Sequence, residues 1–332
     1  MSKINAEVLS DPLQTVPLKK FSFYKNRWRF LVVSLILLLC GLVFSLIFGI
    51  TLDIQFRGGS LLSYTINGDI DLFEAERIAE STLDLPVSAQ QTTSIQAEGG
   101  KQFNALVISV AGNRALSNDQ QLQLNDALEK AFPENRPELL QSTLVDPFIG
   151  REVLVNGLLA LGIASILIVL YVWIRFRTIS GASAGVFSLL CLLHDVIISF
   201  FVFVVMRQPL DETVIAVVLS ILGWSVNDTI VIFDRIRENE QLYGKDMTLP
   251  ELIDLSIKQS LSRTIITSAC TFLAVFVAYI FAVVYNINSI RIFALPLMVG
   301  LVVGSYSSIC LATPFWAMWK IRRSRQSAGR LN

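Results

Sequence analysis

Long apolar runs alternate with short charged segments along this chain. Six of the runs reach the roughly 20 residues that a helix needs to cross hydrocarbon. They predict membrane helices over residues 30–50, 154–174, 182–206, 213–233, 264–284 and 292–319. The last run is overlong and is expected to tilt, or to bend near Pro296 or Pro314, where proline removes a backbone donor. The first is too long for a signal-peptide core and has no small-residue cleavage site before Thr51, so it reads as an uncleaved anchor. Between the first two runs the periodicity changes. Residues 61–66, 87–96, 102–110 and 138–145 read as strands, with Glu98-Gly99-Gly100-Lys101 as a turn between the middle pair. Residues 71–83 and 118–132 recur with helical spacing, Asp71 standing at an N-cap. The order βαββαβ predicts a ferredoxin-like α+β domain over residues 51–150, outside the cytoplasm. The class predicted is therefore a polytopic α-helical membrane protein of six transmembrane helices with one external domain between helices one and two. Around that domain lie an N-terminal segment (1–29), the first membrane helix (30–50), a five-helix bundle (151–320) and a basic tail (321–332).

Composition agrees with the pattern. Hydrophobic residues make up 53% of the 332 and charged ones 16%, which is too apolar for an ordinary soluble domain. A formal net charge of zero conceals segregation by side. Lys19, Lys20, Lys25, Arg27 and Arg29 precede the first run, and Arg175 and Arg177 follow the second. Arg235, Arg237 and Lys245 follow the fourth, and Lys320, Arg322, Arg323 and Arg325 the sixth; the opposite loops hold mainly Arg207 and Arg291. The positive-inside bias puts both termini in the cytoplasm, with the terminal arginines at anionic lipid headgroups. Residues 249–262 read as an amphipathic segment on the cytoplasmic surface leading into the fifth span. All four cysteines fall inside spans without metal-like spacing and read as reduced packing residues. No cofactor, metal or nucleic-acid partner is expected.

The chemistry lies in polar residues set inside the spans. In the fourth run Ser220, Gly223, Trp224, Asn227 and Asp228 share a side at helical spacing. Ser188, Cys191, Asp195 and Ser199 align on the third, and Arg263, Thr267 and Thr271 on the fifth, with Thr264 and Ser268 beside them. Polar stripes at this depth are expected to face the bundle interior or a water-filled path. A charged carboxylate at the bilayer centre costs at least about 2.5–3.5 kcal/mol, which makes Asp228 the first candidate for proton binding. Burial favours the neutral form of a carboxylate and a nearby cation restores the charged one, so a changing distance between Asp228 and Arg263 could load and release a proton. Asn227 and Thr267 flank that path. Two plainer readings stay open: Arg263 as an interfacial anchor and Asp228 as a static helix-to-helix hydrogen-bonding group. Asp234, Arg235, Arg237 and Glu238 read as a solvated or salt-bridged edge, with Asp234 as a possible accessory. His194, the only histidine, adjoins Asp195 in mid-span, either packed and hydrogen-bonded or relaying protons; one His with one Asp makes a poor metal site. Gly58 and Gly59 read as a hinge or turn, and Gly181-xxx-Gly185 and Gly300-xxx-Gly304 as close-packing motifs.

Several of these motifs together resemble a known family. Arg57-Gly-Gly-Ser60, His194-Asp195-Val196, the run from Gly223 to Glu238 and Ser260-Leu-Ser-Arg-Thr-Ile-Ile-Thr-Ser268 are similar to the SecF family of the bacterial Sec translocon, within the RND superfamily. The resemblance covers essentially the whole chain. It implies a multi-pass protein of the bacterial inner membrane, not an enzyme, that works with SecD, the SecYEG channel and often YajC. It also implies use of the proton-motive force to promote late steps of export of a translocating polypeptide. Since the chain holds six spans, a separate SecD is expected. In that family the acid matching Asp228 and the arginine matching Arg263 are implicated in proton conduction. The rival readings are an RND-type proton-coupled transporter of small molecules or lipids, and a passive scaffold. A single external domain of this size leaves little room for a substrate channel.

Overall fold

A computed structural model describes residues 21–50, 52–95, 102–112, 116–145, 147–176, 181–285 and 287–328. The turn expected at 98–101 lies outside the described residues, as does most of the N-terminal segment. The first helix, α1 (Phe23–Phe48), starts on Ser22, whose hydroxyl accepts from Lys25 N at 3.1 Å. It ends at Gly49, where φ is +72°. A single turn, α2 (Ile54–Arg57), then leads into the sheet domain.

The domain runs β1 (Gly59–Ile66), α3 (Leu72–Leu83), β2 (Val87–Ile95), β3 (Gln102–Ala111), α4 (Asn118–Ala131) and β4 (Glu138–Val145). The strands form one antiparallel sheet in the order β2-β3-β1-β4. The central β1 pairs with β3 from Gly59 against Ala111 to Ile66 against Asn104. Its alternate residues Leu62, Tyr64 and Ile66 point to one face, as the two-residue period of a strand requires. There they meet Leu106, Ile108 and Val110 of β3, Ala75 and Ala79 of α3, and Leu124 and Leu128 of α4. Asp71 caps α3 by accepting from Phe73 N and Glu74 N, and a Ser117–Gln120 capping box opens α4. Tyr64 keeps its buried hydroxyl satisfied by donating to Asn125 Oδ1 at 2.8 Å.

Among the described residues six helices are long and apolar enough to cross a membrane. After α1 come α5 (Pro147–Arg175), α6 (Gly181–Val205), α7 (Glu212–Tyr243) and α8 (Leu249–Val284). The sixth crossing is compound: α9 (Asn288–Ser307), a π turn (Ser308–Ala312) and α10 (Thr313–Ala328). The widened turn falls where Pro314 cannot donate to the Cys310 carbonyl, so the ordinary ladder is interrupted there. Thr313 Oγ1 instead donates to Ser308 O at 2.8 Å.

Residues 249–262 do not form a separate surface segment. They are the first turns of α8, with Leu252, Ile253 and Ile257 buried against Phe233, Ile236 and Trp316. Their apolar stripe finds protein partners on α7 and α10, which removes the reason to lie in the lipid interface.

The sheet domain meets the helix ends through a short contact. Leu52 bridges Leu210, and Asp53 N donates to Leu210 O at 3.0 Å. A cleft of about 800 Å³ opens beside this contact, lined by Phe48, Phe73, Glu76, Gln91, Arg207 and Arg291 among others. Arg207 lies over two rings at once, 4.2 Å from the centre of Phe48 and 4.3 Å from that of Phe73, and so links α1 to α3. Glu76 accepts from Ala89 N at 3.1 Å. Burial pushes its carboxyl above the usual range, partly offset by that hydrogen bond and by the Arg207 charge. A carboxyl raised on folding contributes stability below its unfolded pKa and loses it as pH rises through the folded value. Glu76→Gln is therefore expected to flatten the decline of the unfolding midpoint between about pH 4 and 7. Thermal unfolding across that range checks this, and an unchanged slope would remove Glu76 as its source.

Candidate functional site

Asp228 lies within the bundle with 1% of its surface exposed. Helix α7 carries it to a junction with α8 and α9. Its Oδ2 accepts from Ser268 Oγ of α8 at 3.0 Å and from Ser305 Oγ of α9 at 2.9 Å. The two hydroxyls are themselves 2.7 Å apart. Serines serve here because small side chains let helices approach closely while still offering a donor where no water competes.

A second carboxylate sits on the other side of α9. Asp195 of α6 is fully buried, and its Oδ2 accepts from Ser225 Oγ of α7 and Ser307 Oγ of α9, each at 2.8 Å. Its Oδ1 lies 2.9 Å from His194 Nδ1. One turn further, Thr229 Oγ1 and Ser308 Oγ share a hydrogen at 2.7 Å. The glycine pair on α9 explains how these groups come so close. A Cβ at Gly304 would stand 3.1 Å from Ser225 Cβ, and one at Gly300 would strike Ile221 and stand 2.8 Å from Ser199 Oγ. On α6 the matching glycine, Gly185, faces the Val169 backbone, 3.4 Å from where its Cβ would lie.

Other expected residues lie elsewhere. Arg263, Asn227 and Thr267 are exposed on α7 and α8. Among the described residues no hydrogen bond or ion pair joins Arg263 to Asp228. Thr267 Oγ1 turns back to its own helix, 2.9 Å from Arg263 O and 3.0 Å from Thr264 O. The polar stripe of the fourth span thus does not turn wholly inward: Ser220, Gly223 and Asn227 are exposed while Asp228 is buried. Consecutive helical residues point about 100° apart, so Asn227 can stay on the open side while Asp228 turns inward. The stripe of the third span does face inward, with Ser188, Cys191, Asp195 and Ser199 all buried.

Asp234 belongs to a salt-bridged edge, 3.0 Å from Arg175 of α5 and 2.8 Å from Arg237. Beside it Arg235 pairs with Glu238 at 2.6 Å. At the domain junction Gly58 has φ of +72° and Gly59 of +145°. A Cβ on Gly59 would run into the Val110 carbonyl, so this position admits only glycine. The residues that inspection of the sequence missed are Ser225, Ser305, Ser307 and Ser308. The visible signal was the cluster of small residues from Gly300 to Ser308 inside an otherwise apolar run.

Six crossings, a sheet domain inserted after the first, and a carboxylate where three helices meet define a polytopic membrane protein with ionisable groups at its centre. Residues 123–322 match the family described as "Protein export membrane protein SecD/SecF, C-terminal". Over 308 residues the chain is 33% identical to the protein translocase subunit SecF of Alicyclobacillus acidocaldarius, covering 91% of this chain and 93% of that one. It is 35% identical over 311 residues to the protein translocase subunit SecDF of Brucella abortus, covering 91% of this chain but 38% of the relative. The crystal structure of SecDF, a translocon-associated membrane protein from Thermus thermophilus, superposes with a TM-score of 0.70 at 28% identity, covering 92% of this chain and 39% of that one. The chain thus spans about two fifths of the SecDF proteins it matches, and nearly all of the SecF ones. The chain belongs to the SecD/SecF family of protein-export membrane proteins. It is a multi-pass protein of the bacterial inner membrane, and its relatives are translocase subunits rather than enzymes.

Proposed function

We propose that the chain is an auxiliary subunit of the Sec translocase that couples inward proton movement to late steps of polypeptide export. The observation that carries this is Asp228, nearly fully buried, hydrogen-bonded by two hydroxyls and bordered by an exposed polar face. That face, with Asn227, Arg263 and Thr267, is where a SecD half would dock, and its arrival would bring further groups to the carboxylate. The fused SecDF relatives support this arrangement, since in them both halves share one chain. SecYEG, YajC and the translocating polypeptide are the remaining partners in this reading.

Both termini lie in the cytoplasm, because Arg175, Arg235, Arg237, Lys320, Arg322 and Arg323 crowd one end of the bundle. The external domain is ferredoxin-like: the β2-β3-β1-β4 order, with both helices on one face, supports that topology. Protonation of Asp228 would loosen its hold on Ser268 and Ser305 and let α9 shift against α7 and α8. The Gly58-Gly59 turn would pass that shift to the external domain. Moving one charge across 100 mV supplies about 2.3 kcal/mol, enough to bias such an equilibrium.

The test uses vesicles holding the full translocase with and without this chain. The increment in export that the chain adds should vanish when an uncoupler collapses the proton gradient. An increment that survives collapse would leave the scaffold reading in its place.

A further inference from the structure

We propose that Asp195 and His194 form a second proton-binding site, set on the far side of α9 from Asp228 and coupled to it through that helix. Only the coupling rests on the reading of Asp228 above; the site itself rests on its own geometry.

Ser305 reaches Asp228 and Ser307 reaches Asp195. Two residues apart on a helix is about 200° of rotation, so the two carboxylates grip opposite sides of α9 within one turn. Each serine also has a second acceptor. Ser305 Oγ lies 3.1 Å from Leu301 O as well as 2.9 Å from Asp228 Oδ2. Ser307 Oγ lies 3.1 Å from Gly304 O as well as 2.8 Å from Asp195 Oδ2. A hydroxyl has one hydrogen and two lone pairs, so each serine can swing its hydrogen to the helix carbonyl and accept from the acid instead. Both carboxyl groups can therefore change protonation without stranding a buried polar atom, which a site built for one fixed charge state does not require.

His194 supplies a second observation. Its side chain is 10% exposed, its Nδ1 faces Asp195 Oδ1, and its Nε2 is buried with no hydrogen-bond partner among the described residues. With the carboxylate ionised, Nδ1 is the donor of their contact. An added proton settles on Asp195 Oδ2 once Ser307 has turned to Gly304 O, while His194 Nδ1 stays on Oδ1. That neutralises the carboxylate, with no bond broken elsewhere. Among the described residues Cys191, one turn earlier on α6, is a further titratable side chain beside it, and feels the Asp195 charge. From α7 and α9 Asp195 meets the hydroxyls of Ser225 and Ser307. The π turn beginning at Ser308 gives α9 a place to absorb a change of register when either carboxylate releases it.

Infrared pH-difference spectra of the full chain with its partner subunit in lipid vesicles test this between about pH 5 and 8, where exposed carboxylates stay ionised. Two titrating carboxyl bands are expected, one absent in Asp195→Asn and the other absent in Asp228→Asn. His194→Gln should move the midpoint of the Asp195 band by about one pH unit or more, because it removes the ring that shares the charge. A spectrum unchanged by Asp195→Asn overturns the proposal. Should that variant not fold, wild-type protein carrying isotope-labelled aspartate decides the matter equally well, since a single shifted band leaves room for only one site. Loss of the Asp228 band alone from the titration would defeat the proposed function and leave this site standing.

Discussion

Asp228→Asn is expected to reduce the gradient-dependent increment of export to background while the chain still assembles. Asparagine keeps the shape of the side chain, and its carbonyl oxygen can still accept from Ser268 and Ser305, which stand 3.0 and 2.9 Å away. What it cannot do is alternate between charged and neutral forms. The hydrogen bonds become neutral, and charge-assisted bonds of this kind are worth about 1.5–3 kcal/mol against about 1 for neutral ones. That loss is small beside the hydrophobic contacts of α7, where Val217, Ile221, Leu222, Val226, Ile232 and Phe233 are all buried. Export into vesicles, measured beside the abundance of the complex on native gels, separates the two effects. A wild-type increment in the variant would take Asp228 out of the mechanism; a lost complex would make it a structural residue.

The second large effect is expected at the junction of the sheet domain. Gly59→Ala should destabilise that domain by at least about 2 kcal/mol, since a residue forced into such backbone conformations costs of order 1–3 kcal/mol before any clash. The clash is unavoidable here: the new methyl would meet the Val110 carbonyl, and Gly59 opens the strand that pairs with both β3 and β4. Gly49 is the control. It too has positive φ, at +72° with ψ of 177°, but a Cβ there meets nothing within 4 Å, so Gly49→Ala should cost only the backbone strain of about 1–3 kcal/mol, without a clash. Hydrogen exchange of the β1–β3 amides in the full chain reads the difference. Equal protection in both variants would mean that the junction yields to the methyl.

Much of the architecture could be read from the chain because its causes are local. Apolar runs of bilayer length, Asp71 before a helical period, and alternation in β1 each act over a few residues, and the elements fall where those patterns place them. The strand at Glu138–Val145 starts and stops on the residues its pattern marks. The π turn in the sixth crossing falls just before Pro314, for the same local reason. Residues 249–262 went differently. Their amphipathic stripe fits a lipid surface and a protein groove equally well, and the partners that decide between them lie on α7 and α10.

Asp228 likewise stood out in the sequence as a carboxylate too costly to leave in hydrocarbon without purpose. Nothing in the sequence placed Arg263 on an exposed face, or brought Ser305 and Ser307 to two different acids. Those contacts join positions 77 and 112 residues apart. The order of residues alone settles which segments cross the membrane, where the sheet domain is inserted, and that acids lie within the third and fourth crossings. Packing of the six crossings was needed to settle which edge of each polar stripe turns inward and which hydroxyls meet each acid. A helix repeats every 3.6 residues whatever surrounds it, but the side it buries is chosen by the helices packed against it.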